Sequence, residues 1–209
     1  MKDMKAGQCC VGMVRTNCYG LMNEQTKEMI FVDPGDSPET IVSMAEKMGG
    51  TPVAILLTHG HFDHIMAVEA LKEKYQIPVY AGQEEEDILE QTAFNLTDTL
   101  RRPLSIYPEV LLKDEETFTA AGFSIQAFHT PGHTKGSMCY YFPEEGVLAS
   151  GDTLFCESVG RSDLPTGSSR QLVESVKRLL EILPEDTQVL PGHESATTIG
   201  HEKRYNPFV

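Results

Sequence analysis

The sequence predicts an α/β fold in which layered β-sheets are flanked by helices. Three observations predict it. Short strand-like runs come in blocks near both ends of the chain, punctuated by polar turn residues. Segments with apolar side chains one helical turn apart are interleaved with those blocks. No Pro/Gly/Ser-rich linker divides the 209 residues. One domain spanning 1–209 is therefore expected, long enough to hide roughly 70% of its unfolded surface.

The first strands are expected at 11–14, 17–22 and 29–33. Asp33-Pro34-Gly35-Asp36 makes a turn, Ser37 offers an N-cap and Pro38 the first helical position. A short amphipathic helix over 41–48 follows and stops at Gly49-Gly50. Residues 53–57 form an apolar run suited to a buried strand, ending at Thr58. Helical spacing returns over 63–75, with Ile65, Val68, Leu71 and Lys72 a turn apart. A strand at 78–81 and a helix at 84–94 come next. Within that helix, Glu84-Glu85-Glu86-Asp87 reads as a solvated start, where the macrodipole favours carboxylates. Residues 93–107 are irregular. From Thr117 strands resume, at Phe118, 123–128, 137–142 and 147–150. A helix over 169–183 carries Leu172, Val176, Leu179, Leu180 and Leu183, and a last strand at 188–190 runs into Pro191-Gly192-His193.

Composition excludes several classes of function. The formal net charge of −14 opposes nucleic acid and anionic membrane as main partners, because both need dense Lys and Arg. No apolar run approaches the roughly 20 residues of a membrane span. Residues 1–10 hold two lysines but no apolar stretch of the kind a secretory signal has, so a cytoplasmic location is expected. The five cysteines, Cys9, Cys10, Cys18, Cys139 and Cys156, are odd in number and lack a spaced framework; free thiols are expected.

The chemistry is concentrated in Thr58-His59-Gly60-His61-Phe62-Asp63-His64. Three imidazoles and a carboxylate fall within six positions just past a strand end, and both are ligands for zinc and other first-row metals. At this chain's own His and Asp frequencies the pattern arises by chance in roughly one chain in a few thousand. His59 and His61 can grip one ion while Asp63 and His64 turn toward a second. Further ligand-type residues each follow a glycine at a strand end: His133 after Pro131-Gly132, Asp152 after Gly151, and His193 after Pro191-Gly192. Glycine allows a sharp backbone turn at such points.

From His59 through His193 these residues resemble the metallo-β-lactamase superfamily. The resemblance implies a four-layer αβ/βα sandwich with two divalent metal ions at its edge, zinc being the expected metal and iron or manganese the alternatives. It implies His59, His61 and His133 on the first metal, Asp63, His64 and His193 on the second, and Asp152 bridging them. Asp63 and Asp152 are the expected catalytic carboxylates. Many zinc β-lactamases place cysteine where this chain has Asp152. Gly151-Asp152-Thr153-Leu154-Phe155, Gly160-Arg161-Ser162-Asp163-Leu164, His129-Thr130-Pro131-Gly132-His133-Thr134 and the closing Asn206-Pro207-Phe208 look like the short bacterial members of the glyoxalase II (hydroxyacylglutathione hydrolase) branch. Long members of that branch carry a C-terminal helical domain that holds glutathione; no such segment follows His193 here, which leaves the thiol half open.

The resemblance implies a small-molecule thioester substrate. Water between two cations loses a proton near neutral pH, the hydroxide attacks the carbonyl, and the thiolate departs unaided because thiol pKa values lie near 8.5. His129 reads as structural, and His201 as a surface helix residue. Arg161 and Asp163 either order the loop beside the site or meet a substrate carboxylate. Cys139 and Cys156 read as small apolar fillers. The first alternative is a mononuclear iron persulfide dioxygenase using His59, His133 and Asp152; the second is a nuclease of the same superfamily, which the acidic balance disfavours.

Overall fold

The computed structural model describes residues 3–209; Met1 and Lys2, counted above in the N-terminal segment, lie outside them. Two six-stranded sheets face each other. The first runs in the order β1 (Met4–Val11), β2 (Thr16–Asn23), β3 (Glu28–Val32), β4 (Thr51–Leu56), β5 (Val79–Gly82), β6 (Val110–Leu112). β1 to β3 pair antiparallel and β3 to β6 parallel. The second sheet is ordered β14 (Thr197–Thr198), β13 (Gln188–Pro191), β10 (Val147–Gly151), β9 (Met138–Phe142), β8 (Phe123–His129), β7 (Thr117–Ala120). β11 (Leu154–Phe155) and β12 (Ser158–Val159) form a separate hairpin.

Three hydrophobic clusters fix the layer order. Leu21, Ile30 and Leu56 of the first sheet meet Phe123, Tyr140 and Phe142 of the second. On the outer face of the first sheet, Phe31 and Ile55 pack against α1 (Pro38–Met48) and α3 (Val68–Tyr75) through Ile41, Ala45, Val68 and Leu71. On the outer face of the second, Phe128 and Leu148 pack against α5 (Ser169–Ile182) and α6 (Ile199–Tyr205). The result is the expected four-layer αβ/βα sandwich. Strands buried on both faces, such as β9, read as continuous apolar runs.

Several elements depart from the sequence reading. The strand expected at 11–14 is the end of β1 and its hairpin turn: Gly12 and Arg15 have φ of 70° and 63°, and Met13 and Val14 are exposed. β1 itself is an edge strand whose side chains between Met4 and Val11 are exposed or half-buried, and its sequence carries no regular apolar–polar alternation to announce it. The single helix expected at 63–75 is two, α2 (Phe62–Ile65) and α3, because the Met66 and Ala67 N–H groups donate to Gly35 and Pro34 carbonyls rather than to a preceding turn. The helix expected at 84–94 shrinks to a 3-10 turn (Gln83–Glu85) and α4 (Glu86–Glu90). Ser37 occupies the N-cap position of α1 in the left-handed region without making a side-chain cap, and Gly49 closes the helix as expected. β6, β14 and the β11–β12 hairpin are two or three residues each, too short for a periodic signal. The five cysteines are free thiols, and among the described residues no helix is long and apolar enough to cross a membrane.

Candidate metal centre

The loops leaving β4, β8, β10 and β13 converge at one edge of the sandwich and bring the seven expected ligand residues together. Three groups are preformed: His59, His61 and His133; Asp63, His64 and His193; and His59, His64 and Asp152. The His133 Nε2 lies 2.9 Å from His61 Nδ1 and 3.1 Å from His59 Nε2. His193 Nε2 lies 3.2 Å from Asp63 Oδ2 and 3.6 Å from Asp152 Oδ2. His64 Nε2 stands 3.4 Å from Asp63 Oδ2 and 3.5 Å from Asp152 Oδ1.

Local chain geometry aims these groups. Gly132 has φ 140° and Gly151 φ 50°, so both turns use the left-handed region as expected. Gly192 is needed for a different reason. A Cβ there would lie 2.3 Å from Asp152 Oδ1 and 2.7 Å from the His64 ring, so only a bare backbone lets the β13 loop reach the carboxylate. At the end of β10 the parallel register with β13 slips between Ala149 and Gly151, and this irregularity turns the chain so that Asp152 faces the centre.

The hydrogen-bond network fixes which ring nitrogens carry protons. The Thr58 hydroxyl donates to Asp33 Oδ2 at 2.6 Å, so it accepts from His59 Nδ1 at 3.2 Å. His133 Nδ1 donates to the Arg161 carbonyl at 2.7 Å, and His64 Nδ1 to Asp33 Oδ2 at 3.0 Å. His59 and His133 therefore turn unprotonated Nε2 atoms toward the same point, where two lone pairs repel unless a cation lies between them. Two ligands at about 2.1 Å on a tetrahedral ion stand about 3.4 Å apart, close to the observed spacing. His64 Nε2 and Asp152 Oδ1 are buried without a hydrogen-bond partner, which an isolated protein cannot afford and a metal would satisfy. The donor set thus fits two cations.

Electrostatics agree. Burial, reinforced by the neighbouring imidazoles, holds His59 well below the usual histidine range and takes His61 to about 3, leaving both neutral and ready to ligate. Burial also opposes charge on His64 and on His193. Asp63, Asp152 and Asp33 outweigh it and raise His64, and Asp63 and Asp152 raise His193. Asp63 is held far below the ordinary carboxylate range: burial works against ionisation, but His64 and His193 prevail.

Residues not singled out from the sequence organise the centre. Asp33, 1% exposed, accepts from the Thr58 N–H, the Thr58 hydroxyl and His64. Its place straight after β3 and before Pro34-Gly35 was the available signal. Thr16 donates to Asp63 Oδ2 at 2.9 Å, and Asn17 and Tyr19 hold the Pro191 carbonyl ahead of His193. Glu85 corrects the expectation of a solvated helix start. It is fully buried, accepting from the Gly60 N–H and the Thr134 hydroxyl at 2.7 Å each, so it ties the His59–His64 loop to the loop after His133. Its neighbours in the acidic run gave no sign of this. His129 lies outside the cluster, its ring against the Lys135 carbonyl. Arg161 and Asp163 pair with each other, and it is the Arg161 carbonyl that orients His133. His201 is a half-buried residue of α6, paired with Glu157. Cys139 is buried as expected, while Cys156 lies half-buried beside His201 and Glu202 rather than at the metal centre. A cavity of about 800 Å³ opens in front of the centre.

Comparison with known proteins gives the same picture. The sequence profile of the metallo-beta-lactamase superfamily matches residues 13–193. The chain is 36% identical over 208 residues to the probable metallo-hydrolase YqgX of Bacillus subtilis, covering 99% of this chain and 98% of that one. It is 32% identical over 196 residues to the hydroxyacylglutathione hydrolase GloC of Haemophilus influenzae, covering 92% of each. Among solved structures it is similar to the BLEG-1 B3 metallo-beta-lactamase (TM-score 0.92, 42% identity, covering 98% of this chain and 99% of that one). It is also similar to TTHA1623 in a di-iron-bound form (TM-score 0.84, 37% identity, 97% and 100%) and to ETHE1 from Myxococcus xanthus (TM-score 0.79, 27% identity, 98% and 84%). With a profile match over most of its length and relatives aligned end to end, the chain belongs to the metallo-β-lactamase superfamily.

Proposed function

We propose that this protein is a two-metal hydrolase that cleaves a small thioester of the hydroxyacylglutathione type. The observation that carries the two-metal part is the pair of lone-pair-bearing imidazoles facing each other beside a second group of two carboxylates and a partnerless His64 nitrogen. His59, His61 and His133 would hold one ion, Asp63, His64 and His193 the other, and Asp152, within 3.6 Å of both groups, would join them. Such ions supply an activated water and polarise a carbonyl oxygen. Asp63 and Asp152, which both line the cavity, would be the catalytic carboxylates, supplying the negative charge that two cations need. His59 and His61, held below the usual histidine range by burial, stay neutral and give up no proton of their own. The thiolate needs no acid to leave, consistent with a cavity whose titratable side chains are mostly ligands. The thioester reading rests on the sequence motifs after Asp152 and on the likeness to GloC.

A mononuclear iron persulfide dioxygenase is the alternative, and the 27% identity to ETHE1 favours it weakly. One experiment separates the readings. Metals bound per chain are counted by elemental analysis beside assays on S-lactoylglutathione, a β-lactam and glutathione persulfide, with His59→Ala as control. Two metals per chain with thioester cleavage lost in the variant supports the proposal. One iron with oxygen uptake on the persulfide, or turnover confined to the β-lactam, overturns it.

A further inference from the structure

The arginines divide into two groups. Arg161, Arg170, Arg178 and Arg204 each pair with a carboxylate. Arg15, Arg101 and Arg102 have no carboxylate partner among the described residues, in a chain with 31 acids against 17 bases. Unpaired guanidinium groups in so acidic a chain would be expected to scatter. Instead two of them, Arg15 and Arg102, line the hollows at the metal centre. Arg15 lines the cavity that also holds His61, Asp63 and Asp152. Arg102 lines an adjoining hollow of about 100 Å³ that shares Phe62 and Asp63 with the first, and Arg101 is its neighbour in sequence.

The walls between them are apolar. The tip of the β1–β2 hairpin contributes Met13, 77% exposed, and Val14, 45% exposed. Leu96 lines the larger hollow with Val14, Leu100 lines the smaller with Met13, and Phe62 lines both. Besides the ligand carboxylates Asp63 and Asp152, two acids line these hollows. Asp36 is committed to its own turn, where it accepts the Ser37 N–H, and Glu194 sits at the rim beside His193 without an arginine partner among the described residues. The two hollows, joined at Phe62 and Asp63, therefore set apolar walls and two guanidinium groups beside the metal centre, and guanidinium groups recognise carboxylate or phosphate by paired hydrogen bonds.

Resting on the thioesterase reading above, we propose that the thiol half of the substrate carries an anionic terminus, and that Arg15 and Arg102 hold it. The reacting carbonyl must sit at the metals, so a group several bonds away is what the arginines can reach. A thiol carrier with a neutral stem and remote negative charge fills that path; a short acyl group does not. Both carboxylate and phosphate termini satisfy the same donors.

The test uses one acyl group on three thiols: glutathione, which ends in carboxylates; coenzyme A, which ends in phosphates; and N-acetylcysteamine, which is neutral. The metal-loaded wild type is expected to prefer an anionic thioester in kcat/KM, with the preference shrinking as salt rises. In Arg15→Met and Arg102→Met the ratio of anionic to neutral kcat/KM is expected to fall by about tenfold each, mostly through KM. Whichever anionic thioester suffers the larger fall identifies the terminus. An unchanged ratio in the double variant, or a wild-type preference for the neutral thioester, overturns the inference. If no thioester is cleaved at all, the hydrolase reading fails separately. Calorimetric binding of glutathione and coenzyme A then decides: affinity about tenfold weaker in the double variant supports the anion site, and equal or absent binding overturns it.

Discussion

Two buried carboxylates that touch no proposed metal hold the ligands in place, and they differ in what their loss should do. Asp33 accepts three hydrogen bonds with two oxygens. An asparagine would keep the shape, but either orientation of its amide points an N–H at a Thr58 or His64 donor. Asp33→Asn is therefore expected to weaken metal binding by roughly 10- to 100-fold, chiefly at the ion held by His64, and titration should show occupancy falling toward one metal per chain. Full two-metal occupancy at wild-type affinity would show that Asp33 does not set the His64 ring. Glu85 is different, because burial raises its carboxyl to about 7 even though Thr134 and the Gly60 N–H favour the charged form. Its folded-state value lies above its ordinary one. Its contribution to stability is thus fully present below about 4.5 and lost as pH rises through about 7, on the order of 3 kcal/mol for a group so deeply buried. Metal-free Glu85→Gln should lack that slope. Denaturant unfolding of both proteins between pH 4.5 and 8 checks it, and parallel curves would refute the assignment.

At the scale of elements, the turns matter more than the strands. Leu172 and Val176 along α5, the apolar run of β4 and the glycines before His133, Asp152 and His193 were all legible, because each is a local pattern or a local stop. The break between α2 and α3 was not, because its cause is remote: the Gly35 and Pro34 carbonyls take the N–H groups a continuous helix would use. Gly35 is bare for a related reason, since a Cβ there would lie 1.6 Å from the Asp63 carbonyl oxygen. The sequence misplaces Glu85 because four acids in a row look alike, and only the packed loops reveal which one is buried. The same logic predicts unequal glycines. Gly49→Ala places its Cβ in open space at φ 71° and should cost about 1 kcal/mol of stability. Gly192→Ala drives a methyl into Asp152 and the His64 ring and should abolish metal-dependent hydrolysis and lower metal occupancy while leaving a folded chain. Circular dichroism, thermal melts and metal counts on the two variants distinguish the costs, and a Gly192→Ala protein with two metals would contradict the close-approach argument.

The whole molecule places its ligands on both sheets: His59, His61, Asp63 and His64 follow β4 of the first, while His133, Asp152 and His193 follow β8, β10 and β13 of the second. Metal ions bound there would be clasps between the two halves of the sandwich. They would not be the only ones. The interior cluster of Leu21, Leu56, Phe123 and Tyr140 joins the sheets over their length. The Tyr140 hydroxyl donates to the Leu57 carbonyl at 2.7 Å, the Met138 N–H to the Thr58 carbonyl at 2.8 Å, and Tyr19 to the Pro191 carbonyl at 2.8 Å. Chelation should therefore leave the sandwich docked and loosen only its metal edge. Each ion present at a hundred times its Kd adds about 2.7 kcal/mol to the folded state, so losing two should lower the melting midpoint by roughly 10–20 °C for a chain of this length. Far-UV dichroism should be retained. Amide exchange should quicken in the loops after β4, β8, β10 and β13 while the strands of both sheets stay protected. Exchange that quickens across whole sheets, with loss of a cooperative melt, would mean that the metals and not the interior cluster hold the two halves together.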